Sequence, residues 1–239
     1  MMGNMALVTG AGRGVGFALV KQLLDKGWTV FAGMHTQEER LMELQHLRGE
    51  QLHAVLMDVS STESVHQAKK QVEEHTDRLD LVINNAAILG DTERTILDGL
   101  DLEDVQQVFN VNTLGPLRTA EAFMPLLLNS EQKLMVNISS EAGRIGVNGR
   151  NSWFAYTMSK SALNMQSVLI HNQIKQEGGQ VLILHPGWVK TYMRGVLDEA
   201  ADLTPEQSAE GILQQIERHK EWMGDHPAFI DYAGNKMTW

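Results

Sequence analysis

The chain has 239 residues, 43% of them hydrophobic and 21% charged, a composition that fits a soluble globular protein able to bury a sizeable core. A formal charge of −10 argues against nucleic acid or an anionic membrane as a partner, and no apolar run reaches the ~18 residues of a membrane span. With no cysteine there are no disulfides and no thiolate catalysis, and the nine histidines lack HExxH or similar spacing, so no metal site is expected. Met1 to Val8 lacks the basic start of a signal peptide, which leads us to expect a cytoplasmic protein. No linker, repeat or charge block divides the chain, so a single domain over 1–239 is expected.

In chain order, Met5–Val8 reads as a short strand that runs into Thr9-Gly10-Ala11-Gly12-Arg13-Gly14-Val15-Gly16. Phe17, Leu19, Val20, Leu23 and Leu24 then recur at helical spacing. In a strand, glycine turn and helix of this kind, the glycines permit a tight turn and a close phosphate approach, with the phosphates at the positive helix end. Taken alone, the turn fits a purely structural loop as well. No Lys-Ser/Thr follows the glycines, which argues against a phosphate loop of the nucleotide-triphosphatase kind.

Alternation continues, with Thr29–Ala32 as strand, Glu38–Leu47 as helix, Leu52–Leu56 as strand, Thr62–His75 as helix and Leu81–Ile83 as strand. This predicts a parallel sheet of the doubly wound α/β (Rossmann) class. Asp58 follows the third strand and Asn84-Asn85-Ala86-Ala87 the fourth, at the sheet edge where open α/β folds bind ligands. Asp58 by itself also fits a helix cap or turn former. Leu102–Leu128 predicts a long helix bent near Gly115-Pro116, with the carbonyl near Asn112 deprived of its donor by the proline. Leu134–Ile138 is the next strand and delivers Ser139 and Ser140.

Tyr156 and Lys160 stand at i and i+4 in a predicted helix over Ala155–Gln176, on one face with Cβ atoms roughly 5–6 Å apart. Drawing a tyrosine from pH ~10 to neutrality takes roughly 4 kcal/mol, about what a lysine charge ~4 Å away supplies at an effective dielectric of about 20. An isolated YxxxK also fits a surface tyrosine beside a solvated lysine, so the neighbouring motifs decide. Val181–Leu184 is a further strand, and His185-Pro186-Gly187-Trp188-Val189-Lys190-Thr191 turns at its end. Residues 190–204 lack a clear period and suit a flap. Thr204-Pro205-Glu206 then starts a helix expected to reach Lys220, and Phe229–Asp231 is a last strand. No GxSxG supports a serine hydrolase.

TGAGRGVG, the Asp58-Val59 pair, NNAA, Asn112 in VNTLGP, Ser139-Ser140, YTMSK and PGWVKT occur in the order of the short-chain dehydrogenase/reductase family. The chain resembles that family over almost its whole length, most closely its carbonyl reductase and C-factor-like branch. The resemblance implies an oxidoreductase acting on a carbonyl or secondary alcohol, with Ser140 positioning the substrate oxygen, Tyr156 exchanging the proton, Lys160 lowering the tyrosine pKa and holding the ribose, and Asn112 serving a proton relay. Ser140 precedes Tyr156 by sixteen residues, where many relatives have thirteen, which leaves Ser139 as runner-up.

Cofactor contacts carried over are Gly10, Gly12, Arg13, Gly14, Val15, Gly16, His35, Asp58, Val59, Asn85, Ala86, Ala87, Tyr156, Lys160, Pro186, Gly187, Val189 and Thr191. Ala87 departs from the family's usual glycine. Residues 32–37 contain no acid to bind a ribose hydroxyl, whereas Arg13 and His35 suit a 2′-phosphate, so NADP(H) is expected to be preferred, with NAD(H) possible. Trp153-Phe154 and Trp188 with Tyr192 and Met193 predict an apolar substrate pocket, with Arg144, Arg150, Lys190 and Arg194 solvated. A homodimer or homotetramer joined through residues 102–128 and 155–176 is a further family expectation. The alternative is a dinucleotide-binding signalling or sensor protein with little turnover.

Overall fold

A computed structural model describes residues 3–239; Met1 and Met2, at the head of the stretch read for a signal peptide, lie outside the described residues. The sheet has seven parallel strands in the order β3-β2-β1-β4-β5-β6-β7. They are β1 (Met5–Thr9), β2 (Thr29–Met34), β3 (Leu52–Leu56), β4 (Leu81–Asn84), β5 (Leu134–Ile138), β6 (Gln180–His185) and β7 (Ala228–Asp231). Helices α1 (Gly14–Asp25), α2 (Glu39–Arg48), α3 (Thr62–Glu73), α4 (Leu102–Phe109), α5 (Gly115–Leu128), α6 (Phe154–Ile174) and α7 (Pro205–Glu217) alternate with the strands.

Both faces of the sheet are covered, which explains why the strands read as continuous apolar runs. Side chains alternate between faces with period two. Ala6, Val8, Val30, Ala32, Leu81, Ile83, Val136 and Leu182 pack with Leu19, Leu23, Ile212 and Ile216 of α1 and α7. Leu7, Phe31, Val82, Met135 and Val181 pack on the other side with Val65, Val72, Phe123 and Leu127 of α3 and α5. Truncating the fully buried Phe123 to alanine is expected to cost about 3–5 kcal/mol.

Two expected elements differ in detail. The single bent helix over 102–128 is two α-helices joined by a π turn at Asn110–Leu114. Pro116 offers no N–H to the Asn112 carbonyl four residues earlier, and a wider turn at this point is the usual local response. The helix expected to reach Lys220 ends at Glu217 and is followed by a 3-10 turn at His219–Trp222. Its start is as expected: Thr204 and Gln207 exchange side-chain to backbone bonds in a capping box, ahead of Pro205. Among the described residues no helix is long and apolar enough to cross a membrane.

Candidate active site

A cleft of about 1030 Å³ runs along the carboxyl ends of the strands, from the glycine turn to the side chains around Tyr156. At the first end the backbone itself makes the wall. Gly10 (φ +64°) and Gly14 (φ +56°) occupy left-handed conformations that side chains disfavour. A Cβ on Gly16 would lie 2.2 Å from the Gly10 carbonyl oxygen, and one on Gly10 would lie 2.8 Å from Ala86 Cα, so neither position admits a methyl without backbone movement. Thr9 Oγ1 accepts the amides of Asn85 and Ala86, while Asn85 Nδ2 donates to the carbonyls of Thr9 and Gly10. The turn is thereby pinned to the end of β4. α1 starts at Arg13 in extended conformation with no side-chain cap, so its first amides have no side-chain acceptor. A cradle of this kind fits a dinucleotide pyrophosphate.

Gly12, Arg13, Val15, His35, Asp58, Val59, Ala87, Pro186, Gly187, Val189 and Thr191 line the same cleft. Asp58 accepts from both the amide and the hydroxyl of Ser60 and lies 3.7 Å from His35 Nε2. Burial opposes the Asp58 charge, but the Ser60 bonds, with His35 and Arg118 nearby, outweigh it and hold the carboxyl below its usual range. Asp58 does not cap the following helix; Ser61 does. Thr191 stands against the glycine turn, 3.4 Å from where a Cβ on Gly14 would be. The segment 190–204 is closed at its base, where Lys190 N donates to Leu203 O and Leu203 N to Trp188 O.

At the other end α6 presents Tyr156 and Lys160 on one face, as the spacing predicts. Both are buried, at 9% and 2% exposure. The expected direction of the tyrosine pKa is reversed in this structure. Burial pushes Tyr156 up to about 12; the Ser140 hydroxyl and Arg150 act the other way, and Glu141 adds to the rise. Burial also brings Lys160 down to about 7. Burial dominates, and Lys160 does not offset it: its amine donates to the Ile138 carbonyl at 2.8 Å and lies 5.6 Å from the centre of the tyrosine ring, so helical proximity is not accompanied by a bond to the phenol. Ser140 caps a 3-10 turn (Glu141–Gly143), with its Oγ accepting from Ala142 N. Ser139 instead donates to Asn164 Oδ1 at 2.6 Å, which turns its hydroxyl toward the middle of α6. Asn112 is fully buried in the π turn; its side chain accepts from Ile88 N and donates to Ile88 O and to Ser159 Oγ.

Trp153, Trp188, Tyr192 and Met193 line the cleft, and Arg150 and Arg194 stay exposed as expected. Arg144 turns away toward Thr238, but Arg150 and Arg194 also line the cleft, each stacked on the Trp153 ring. They escape the cost of burial because both stay partly exposed and each has a carboxylate nearby, Glu141 and Asp198 respectively. Three acids of the cleft wall, Glu38, Glu141 and Asp198, took no part in the site read from the sequence. Glu38, just beyond the acid-free stretch, packs where a Gly12 Cβ would be, 2.4 Å from its Cγ. Glu141 lies in the wall beside Tyr156. Glu38, read from the sequence only as the start of a helix, immediately precedes α2, so its place in the cleft wall follows from that helix start.

The family model for short chain dehydrogenase matches residues 4–202. The chain belongs to the short-chain dehydrogenase family. It is 33% identical over 216 residues, 90% of this chain and 91% of the relative, to a 1-hydroxy-2-glutathionyl-2-methyl-3-butene dehydrogenase of Rhodococcus sp. (strain AD45). It is 34% identical over 165 residues, 69% of this chain and 95% of the relative, to the C-signal protein of Myxococcus xanthus. Among solved structures, the NADPH-bound carbonyl reductase from chicken fatty liver superposes with a TM-score of 0.87 at 32% identity, covering 100% of both chains. The doubly wound fold and the oxidoreductase family expected of this chain are therefore established, as is the nicotinamide dinucleotide class of cofactor that the family binds.

Proposed function

We propose that this chain is an NADP(H)-dependent reductase of aldehydes, ketones or diones with a largely apolar body. The observation that carries this reading is that one cleft joins the pinned glycine turn to Tyr156 and Ser140, with Lys160 at its floor. The nicotinamide, when bound, supplies or accepts the hydride. Ser140 Oγ orients the substrate oxygen, and Tyr156 gives it the proton. Burial keeps Tyr156 protonated at neutral pH, which is the form that carbonyl reduction needs. Lys160, with its proton labile near neutrality, serves the ribose and resupplies the phenol, with Asn112 on the relay.

The 2′-phosphate preference rests on Arg13, which is exposed and in no ion pair among the described residues, and on Arg40 and His35 in the same wall. Glu38 and Asp58 are the opposing charges. The base-closed segment 190–204 acts as the substrate flap. Leu114, Leu117, Met165 and Leu169, exposed on α4 to α6, suit a subunit contact, whereas Leu163 on α6 faces the core; a mass near 26.7 kDa in light scattering would remove this contact. The likeness to the C-signal protein favours a second reading, a dinucleotide-binding signalling protein with little turnover. One assay separates the two: oxidation of NADPH by purified protein against a panel of aldehydes, ketones and quinones. Turnover with several supports the reductase; nucleotide binding without turnover of any supports the second reading.

A further inference from the structure

Trp153 is one of two described non-glycine residues with positive φ, Lys133 being the other, and sits in the left-handed region at φ 65°, ψ 30°. The left-handed region is disfavoured for any side chain, and such residues persist where surrounding contacts fix them. Here the Trp153 carbonyl accepts from both the amide and the hydroxyl of Thr157, which locks the first turn of α6. The conformation puts the indole edge-on to Tyr156, with ring centres 6.1 Å apart, at the wall of the catalytic cleft. Two guanidinium groups then lie over the same indole, Arg150 at 5.4 Å and Arg194 at 5.2 Å.

Their pairing is unequal. Arg150 gives both terminal nitrogens to the Glu141 carboxylate. The carboxylate near Arg194 is already engaged: Asp198 Oδ2 accepts from Trp188 Nε1 at 2.9 Å and lies 3.9 Å from Arg194 Nε, beyond hydrogen-bond reach. No hydrogen bond from the terminal nitrogens of Arg194 occurs among the described residues. Arg194 is therefore oriented by stacking, with its fork of donors uncommitted at a cleft wall and about half its side chain exposed. A planar cation held in this way matches a carboxylate in two-point geometry.

We propose that Arg194 forms a distal anion subsite, and that the preferred substrates are apolar-bodied aldehydes or ketones carrying a carboxylate remote from the carbonyl. The inference rests on the reductase reading and deepens it. The carbonyl sits at Ser140 and Tyr156, the body lies along the Trp153 indole, and the carboxylate reaches Arg194. A carboxylate adjacent to the carbonyl, as in a 2-oxo acid, would stop beside Glu141 and Tyr156 and meet repulsion instead.

The test compares kcat/KM for para-carboxybenzaldehyde and for its methyl ester, the same body without the charge, with NADPH and with NADH. The wild type is expected to prefer the acid, and Arg194→Ala to lower the acid-to-ester ratio about tenfold, chiefly through the KM for the acid. Arg194→Gln should lower the ratio similarly, and Arg194→Lys should retain part of it. A wild type that prefers the ester, or a ratio unmoved by Arg194→Ala, overturns the subsite while leaving the reductase standing. Turnover of neither aldehyde nor any other carbonyl overturns the reductase reading, and the subsite falls with it.

Discussion

The two ends of the cleft are built differently. At the glycine turn the wall is backbone, held by Thr9 and Asn85 and by contacts too close to admit a Cβ. Around Trp153 the wall is side chain: guanidinium on indole, carboxylates balancing charge, and a segment tied down chiefly at its base. A backbone wall suits a ligand part that never varies, such as a pyrophosphate, since its donors are fixed by the fold. A side-chain wall can change one substitution at a time and suits the part that distinguishes one enzyme from another. Tyr156 and Lys160, the proposed catalytic pair, lie between them on α6, with Lys160 bonded to the end of β5.

The largest effect should come where the two ends meet. Tyr156→Phe removes the proposed proton donor and should lower turnover by 10²-fold or more, while NADPH binding, followed by fluorescence, survives. Lys160→Ala should damage both, and the double variant should be far from additive. Appreciable carbonyl reduction by Tyr156→Phe would show that another group donates.

Gly16→Ala probes the backbone wall alone. The added methyl meets the Gly10 carbonyl and Asn85 Nδ2, so the turn must shift, at an expected cost of about 1–3 kcal/mol in stability and a marked loss of nucleotide affinity. Unchanged melting temperature and nucleotide Kd would mean that this end is softer than its contacts imply.

A pH-dependent effect tests the floor of the cleft. Lys160 in the folded chain is brought down to about 7 from 10.5, so below about pH 7 it is charged in both states and its burial cost is present in full. As pH rises from about 7 toward 10, only the unfolded chain keeps the proton, and the cost is relieved. Above about 10 the raised Tyr156 pKa acts with the opposite sign, since the folded chain then holds the extra proton. Unliganded Lys160→Met should lose the lysine slope, up to ~1.4 kcal/mol per pH unit between about pH 7 and 10. Denaturant titrations in which variant and wild type keep a constant difference across that window would contradict it.

The smallest effect is on cofactor choice. Arg13→Ala should raise the NADPH KM several-fold, with the NADH KM little changed, because an exposed cation is screened. Glu38→Gln should move the preference further toward NADPH. Wild-type turnover with NADH equal to or better than with NADPH would remove the 2′-phosphate argument.

Much of the fold was legible because its signals are local. Apolar runs and turn residues marked all seven strands to within a residue or two, and Thr204-Pro205 marked the start of α7. The glycine turn was legible too, since left-handed backbone at Gly10 and Gly14 leaves a compositional trace. The π turn was not: Pro116 signals a lost bond, but whether the chain kinks or widens depends on what packs around it, here Asn112 bonded to Ile88 and Ser159 from two other segments. The side-chain wall was only half legible. Aromatic content named Trp153 and Trp188, while the position of Arg194 over the Trp153 indole joins residues far apart in the chain.

What the sequence determined by itself is the alternation of elements, the placing of ligand-binding residues at carboxyl strand ends, and the Tyr156-Lys160 face, because each follows from periodicity or from the conformational demands of single residues. The tertiary structure decided three things: which hydroxyl faces Tyr156, the direction of the tyrosine and lysine pKa values, and the fate of the two arginines. These depend on burial and on partners brought in from distant segments, and neither desolvation nor a through-space contact is written into the spacing of residues along the chain.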